Sequence, residues 1–333
     1  MADAERKFAD SEALSAVAAA TFGAADRIVS ADRLPNGSKK GVYRLTLESG
    51  TSAICYVWSD SEDYWQGVLP DAAEDWANPF GHASGLDLFE AAERRLAAVG
   101  VRTPRLLLAD RSKELYPSDF AVVEDITGGT LETLLDQDAV AAGPILAQLA
   151  ESLEAMQGYQ AADFGKVALV DGGGASTAAT CEQTVLDRAL AEVVAIAAIT
   201  PRAAAGQTEL DNKLRVLAAR VEPRTQFKLI HGELGPDHVL VDKHAAPVLI
   251  DIEGLLYFDI EWEHVFMRMR FGEHYRHLRR TDLDERRMRF YQLAIHVSLV
   301  AGPLRIAATD HPQRDWFLEV ADYHLQRALE YDL

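Results

Sequence analysis

Cysteine is nearly absent from this chain. Cys55 and Cys181 stand far apart and outside any Cys-x-x-Cys or Cys/His spacing, which excludes a disulfide framework and a structural zinc site and leaves both as small apolar core residues. Basic residues are also scarce. The 33 Lys and Arg against 52 Asp and Glu give a formal net charge of −19, which disfavours nucleic acid as a partner, since phosphate binding relies on clustered Lys and Arg. No run of ~18 apolar residues is present to span a membrane. The opening Met-Ala-Asp-Ala-Glu-Arg-Lys lacks the basic-then-apolar order of a secretory signal, so a cytoplasmic protein with no membrane partner is expected. Also missing are a Gly-x4-Gly-Lys-Ser/Thr phosphate loop and a His-Glu-x-x-His zinc pair.

What is present is a long, core-rich chain, 333 residues with 48% hydrophobic content. At ~150 residues per domain this suggests two lobes. Its most informative stretch runs from Phe227 to Gly254. Apolar Phe227 to Ile230 lead into the polar loop His231-Gly232-Glu233-Leu-Gly235-Pro236-Asp237-His238, Val239 to Val241 lead out, and Asp242-Lys243-His244 has turn chemistry. Pro247 to Ile250 form a further run that stops at Asp251, with Glu253 two residues on. Strand, loop, hairpin and acid in this order place Glu233, His238, Asp251 and Glu253 at neighbouring strand ends, where a rigid scaffold holds polar groups around one ligand. Phosphoryl transfer needs such a set, one carboxylate to orient and deprotonate an acceptor hydroxyl and others to hold metal ions.

These residues resemble the catalytic and metal-binding loops of the aminoglycoside phosphotransferase family, small-molecule kinases with a protein-kinase-like fold. The family pattern is roughly His-Gly-Asp-x-x-x-x-Asn and then, after a hairpin, Ile-Asp-Phe/Trp-Glu. His231 and Gly232 match, Glu233 stands for the catalytic Asp, His238 for the metal-binding Asn, and Asp251 with Glu253 match the second motif. The resemblance implies an α+β bilobal fold, with an N-lobe of antiparallel sheet plus helix over residues 1–124 and a mainly helical C-lobe over 125–333. It implies catalytic roles for Glu233 and His231, and metal ligation by Asp251, His238 and Glu253. Glu keeps the charge of Asp on a longer side chain, whereas imidazole suits softer metals than Mg2+ and alters metal preference, Mn2+ included.

The rest of the chain is read against that layout. A helix is expected over Ser11 to Gly23, then strands at Ile28 to Ala31 and Val42 to Leu47 around the turn-rich Leu34 to Gly41. In a kinase-like N-lobe that loop covers nucleotide phosphates, where Ser38, Lys39 and Lys40 would meet negative charge. Ala53 to Trp58 is the strand in which related kinases carry a phosphate-contacting Lys. Tyr56 takes that position here, so either Lys39 or Lys40 would substitute or phosphate binding would be weaker than in relatives. The insertion from Trp58 to Gly81 is rich in aromatics and acids and reads either as a substrate lid or as rings packed on the N-lobe.

Leu86 to Val99 has helical spacing, and the resemblance puts Glu90, or alternatively Glu93, facing the strand cation. Glu124 to Gly129 is the expected hinge, with main-chain atoms of Glu124 and Ile126 meeting adenine. A long helix is expected from Gly143-Pro144 to Gln157 with Pro144 in its first turn, and helices over Cys181 to Val221, the second opened by Thr208 and Asp211. Asp163-Phe164-Gly165 spells a kinase metal string but precedes the catalytic loop, so it reads as a loop. An acid near Asp259 is expected to brace the catalytic loop. Arginines 268, 270, 276, 279, 280, 286, 287 and 289 read as a solvated helical face or, alternatively, an anion-binding patch.

Together these readings predict an O-phosphotransferase using ATP or another NTP with Mg2+ or Mn2+ on a hydroxyl of a small-molecule acceptor, an antibiotic or related metabolite. The alternative is a pseudokinase-like binding protein, motivated by Tyr56, Glu233 and His238.

Overall fold

The computed structural model describes residues 6–35, 37–69 and 76–333. Asn36 of the expected phosphate loop and residues 70–75 of the insertion lie outside the described residues, as do the first five.

The N-lobe begins with α1 (Ser15–Phe22), β1 (Ile28–Arg33), β2 (Gly41–Leu47) and β3 (Ser52–Trp58), followed by α2 (Leu86–Ala98), β4 (Leu106–Asp110) and β5 (Asp119–Glu124). The strands form one antiparallel sheet in the order β1-β2-β3-β5-β4. β3 is apolar throughout its interior because both of its faces are covered. Ala53, Cys55 and Val57 pack with Leu14 and Val17, and Ile54 and Tyr56 pack with Leu86, Phe89 and Leu96 of α2. The first helix starts later than its sequence suggests, after a turn in which Asp10 accepts from the Ala13 amide at 2.9 Å.

The C-lobe runs α3 (Leu131–Gln137), α4 (Ala139–Gly158), β6 (Gln160–Ala161), β7 (Gly165–Lys166), α5 (Val167–Asp171), α6 (Cys181–Ile199) and α7 (Pro201–Ala218). β8 (Phe227–Ile230), β9 (Val239–Val241), β10 (Pro247–Leu249), β11 (Leu256–Phe258), α8 (Ile260–Phe271), α9 (Glu285–Ala307) and α10 (Arg314–Leu329) complete it. β9 and β10 make a hairpin, and β6-β8-β11-β7 make a small sheet beside it. The architecture is the expected bilobal kinase-like one, with an antiparallel N-lobe sheet and a mainly helical C-lobe.

Two helix starts differ from expectation for one reason, a stronger cap upstream. Asp138 accepts from the Val140 and Ala141 amides at 3.1 and 3.0 Å, so α4 opens before Pro144, which falls inside the helix. Thr200 accepts from Ala203 N at 3.1 Å with Pro201 next in line, so Thr208 and Asp211 lie within α7 rather than at its start. Asp163-Phe164-Gly165 is structural: Phe164 is buried against Phe227 at 5.2 Å and Phe258 at 6.1 Å.

The arginines between 268 and 289 do not form one face. Arg287 is buried and pairs with Glu182 and Asp259, to which Tyr291 also donates, tying α6, α8 and α9 together. Burial raises the Asp259 carboxyl to about 6 despite Arg287. Arg270 instead reaches Asp237 at 2.8 Å, Arg268 reaches Gln292 at 2.7 Å, and Arg280 reaches Asp282 at 2.8 Å. Among the described residues α9 alone has the length and hydropathy to cross a membrane, but 67% of that window is buried in the fold, as in a core helix.

Candidate active site

The loop after β8 is shaped by the start of α8. Gly232 has φ +94, a conformation that favours glycine, and its amide donates to Glu263 Oε2 at 2.6 Å while its carbonyl accepts from Trp262 Nε1 at 3.0 Å. Glu263 is fully buried. Burial lifts its carboxyl to about 7, although the amides of Gly232, Leu234 and His231 favour the charged form. The brace expected from an acid near Asp259 is therefore Glu263, while Asp259 itself is committed to Arg287.

Further bonds fix the loop against the hairpin. His231 Nε2 donates to the Ile250 carbonyl at 2.9 Å, and the Ile250 amide donates to the His238 carbonyl at 3.0 Å. A carbonyl only accepts, so His231 carries its proton on Nε2. Burial, then His238, lowers its pKa to about 4, leaving the ring neutral. His231 thus holds the Ile250 carbonyl, one residue before Asp251.

His238 stacks on His231 with ring centroids 5.6 Å apart, and its Nδ1 donates to the Glu233 carbonyl at 3.0 Å. In the neutral ring this leaves the Nε2 lone pair free, 3.9 Å from Asp251 Oδ2. The Glu233 side chain is exposed. Asp237 pairs through Oδ1 with Arg270 at 2.8 Å, while its Oδ2 lies 3.6 Å from His238 Nε2.

Asp251 is one of three non-glycine described residues with positive φ, at φ 58 and ψ 45. This turn brings its carboxylate to Lys40. Lys40 Nζ lies 3.1 Å from Asp251 Oδ1, makes a closer contact with Glu253 Oε1, and sits 5.1 Å from the centre of the Tyr56 ring. Burial opposes charge on both sides, yet Glu253 and then Asp251 hold Lys40 above its ordinary pKa, and Lys40 with His238 holds Asp251 well below the usual carboxylate range. Lys40 thus reaches the Tyr56 ring from one strand over, since Val42 of β2 pairs with Tyr56 and Lys40 is two residues earlier.

The entry of β2 is held in place by a buried acid. Glu62 receives the Tyr43 hydroxyl and Arg33 Nε at 3.0 Å, and it lies so close to Gly41 that a Cβ there would be 2.6 Å from its Cδ. Lys39 contributes a carbonyl that accepts from Ser84 at 2.9 Å, and Ser38 Oγ accepts from Trp65 Nε1 at 3.1 Å. The described parts of the insertion therefore do pack by their rings, and they also tie the loop to the C-lobe. Tyr64 lies 4.6 Å from His311 and Phe80 lies 4.6 Å from Trp262, centre to centre.

Glu90 is a correction. Arg111 draws it outward at 2.6 Å, and the α2 residue facing β3 is Phe89, 5.6 Å from Tyr56 and 5.9 Å from Trp58. With no lysine on β3 there is no charge to bring a glutamate inward, and three rings fill the space. At the hinge, the Glu124 amide donates to the Arg105 carbonyl at 2.9 Å and its carboxylate pairs with Arg102 at 3.1 Å. Ile126 is buried next to Gly128, which abuts β9 closely enough that a Cβ would lie 2.2 Å from the Val241 carbonyl oxygen.

Sequence reasoning missed Glu263, Trp262 and the Tyr56–Phe89–Trp58 cluster. The string Glu261-Trp262-Glu263 directly after a short apolar strand was the one available signal for the first two.

Asp251 Oδ2 and His238 Nε2 are the protein donors suited to a divalent ion here. Among the described residues no group of three or more His, Cys, Asp or Glu side chains is gathered for one. A one-carboxylate site of this kind suits an ion that arrives with nucleotide phosphates and water as its other ligands. Glu253 is engaged by Lys40 instead.

The model of a phosphotransferase enzyme family matches residues 33–296. No curated protein matches the chain. Solved structures do. A thermostable mutant of aminoglycoside phosphotransferase APH(4)-Ia has a TM-score of 0.63 at 17% identity, over 94% of this chain and 98% of that one. Spectinomycin phosphotransferase APH(9)-Ia, in complex with ADP and spectinomycin, gives 0.65 at 12% identity over 97% and 98%. The GDP and kanamycin complex of a further enzyme, APH(2")-IIia, gives 0.61 at 18% identity over 95% and 98%. With the kinase-like fold, the His231–Glu253 loop geometry and a family match over most of its length, the chain belongs to the phosphotransferase enzyme family.

Proposed function

We propose that this protein is an ATP-dependent, or NTP-dependent, O-phosphotransferase acting on a hydroxyl of a small molecule. The observation that carries the reading is the convergence of Lys40, Asp251 and Glu253 beneath the loop at residues 37–41, next to the exposed Glu233. The neighbours crystallised with ADP, AMP-PNP or GDP support a nucleotide in the corresponding cleft.

Lys40 exchanges a carboxylate contact for a phosphate oxygen of the incoming nucleotide, and the amides of the loop at 37–41 cover the same phosphates. Main-chain atoms at Glu124 and Ile126 receive the base. Glu233 orients the acceptor hydroxyl and takes its proton as the oxygen attacks the γ-phosphorus; the new O–P bond forms, the bond to the bridging β–γ oxygen breaks, and the nucleoside diphosphate leaves. Mg2+ or Mn2+, held by Asp251 and His238, would neutralise charge on the phosphate oxygens. His231 and Glu263 touch none of the reacting atoms and position the loop.

Calorimetric titration of ATP with Mg2+ and with Mn2+ into wild type and Asp251→Ala tests this. Metal-dependent binding in wild type that is lost in the variant supports the reading. Metal-independent binding, equal in both proteins, refutes it. The second reading, a binding protein without transfer, is favoured by Lys40 engaging the acids that would serve metal, and is refuted by Glu233-dependent ATP consumption.

A further inference from the structure

The ammonium of Lys40 stands where a divalent ion would be held. Its Nζ is 3.1 Å from Asp251 Oδ1 and closer still to Glu253 Oε1, while Asp251 Oδ2 faces His238 Nε2 at 3.9 Å. An ammonium and a metal ion would draw on the same carboxylates. The Asp251 side chain is 42% exposed, so the place is open to ions from solution, whereas Lys40 and Glu253 are buried. The backbone is fixed on both sides of the contact. Asp251 is set by its left-handed turn, and the Ile250 amide before it donates to the His238 carbonyl at 3.0 Å. Across the cleft, Ser84 Oγ donates to the Lys39 carbonyl at 2.9 Å, the Tyr64 amide donates to the Ser38 carbonyl at 2.9 Å, and Glu62 Cδ lies 2.6 Å from where a Cβ of Gly41 would be. What is left to move is the Lys40 side chain on its flexible four-carbon stem.

A buried carboxylate with no cation beside it is costly, so Lys40 stabilises Glu253 while the cleft is empty. A divalent ion brought to the same oxygens would meet the ammonium at contact distance, and like charges repel most strongly where water is partly excluded. Asp251 and Glu253 carry less negative charge between them than the phosphate chain of a nucleoside triphosphate. A phosphate within reach of the Lys40 stem therefore competes well for the ammonium, and its capture releases both acids together.

We propose that Lys40 is a tethered counter-cation that keeps divalent ions out of the empty cleft and gives up Asp251 and Glu253 only to a nucleotide, whose phosphates draw the ammonium away. This is a regulation of the phosphotransferase site and rests on that reading. Free metal does not load the protein. After the exchange Asp251 Oδ1 and Glu253 join Asp251 Oδ2 and His238 as donors facing the ion, so nucleotide and ion enter together. Lys40 acts twice, as a stopper before binding and as a phosphate ligand after it.

The test is the uptake of Mn2+ without nucleotide, read from the electron paramagnetic resonance signal of the free ion, by wild type, Lys40→Met and the double variant Lys40→Met with Asp251→Asn. Lys40→Met is expected to bind Mn2+ about tenfold or more tightly than wild type, and the double variant no better than wild type. The proposal is overturned if Lys40→Met binds Mn2+ no better than wild type, or if the gain survives Asp251→Asn, which would put the ion elsewhere. It is also overturned, with no variant involved, if wild type binds Mn2+ as tightly without ADP as with it. ADP binding to wild type is titrated separately by calorimetry. Its failure counts against the phosphotransferase reading, while ion uptake, measured without nucleotide, still decides whether Lys40 blocks the metal's place.

Discussion

Lys40 and Asp251, 211 positions apart, meet at 3.1 Å across the cleft, beside the Tyr56 ring that stands where related kinases carry a lysine. The positive charge beside Tyr56 comes from the entry of the neighbouring strand. Removing it should cost what removing a preorganised cation costs. Lys40→Met is expected to lower turnover about 10²- to 10³-fold and weaken ATP binding. The melting temperature should fall little, because deleting the ammonium also relieves its desolvation. Steady-state kinetics and differential scanning calorimetry on the same preparation check both halves.

Glu233 and His231 should separate under mutation. Glu233→Gln removes the proton acceptor and is expected to reduce turnover by about 10²- to 10⁴-fold with ATP affinity unchanged. His231→Asn removes a brace and should cost less turnover and more stability. Since His231 stays neutral down to about pH 4, no limb of the wild-type pH–rate profile between pH 5 and 9 should disappear in His231→Asn. Loss of such a limb would return His231 to the chemistry.

His238 puts a nitrogen where the family pattern has an amide oxygen. His238→Asn is expected to shift metal preference toward Mg2+ at the expense of Mn2+, read as the ratio of turnover with each ion. An unchanged ratio would mean that His238 is only a support for the Glu233 carbonyl.

The Glu263 carboxyl, raised by burial from 4.5 to about 7, makes stability depend on pH in a definite direction. Because the folded state holds the proton more tightly than the unfolded state, its contribution is complete below about pH 4.5 and is lost as pH rises through about 7. Glu263→Gln keeps an acceptor for the Gly232 amide and removes the titration. Urea unfolding between pH 4.5 and 7.5 should show the decline of wild type flattened in the variant.

Gly128 has no room for a methyl group against the Val241 carbonyl. Gly128→Ala is expected to cost about 1–3 kcal/mol of stability and to weaken nucleotide binding by displacing the adjoining hinge, measurable by denaturant titration and calorimetry.

Local pattern made much of this protein legible. The run from Phe227 to Gly254 carries its strands, turn and acids within one short segment, so loop and hairpin follow from spacing alone. α2 is equally clear, because Leu86, Phe89 and Leu96 recur at helical intervals and end at Gly100. The cap at Asp138 was a one-residue competition with Pro144 that periodicity does not judge. Glu90 was misplaced because its partner, Arg111, lies on a different element, and no spacing relates the two.

The division has a physical cause. Hydrophobic period, caps and turns act over a few residues and are written in the order of the chain, so they determined the elements, while the kinase-like layout was implied by the resemblance of the His231–Glu253 motifs. Which charge meets which acid is decided by side chains from distant segments competing for the same desolvated space. Only the folded structure could assign Lys40 to Asp251 and Glu253, and give the loop brace to Glu263 rather than Asp259.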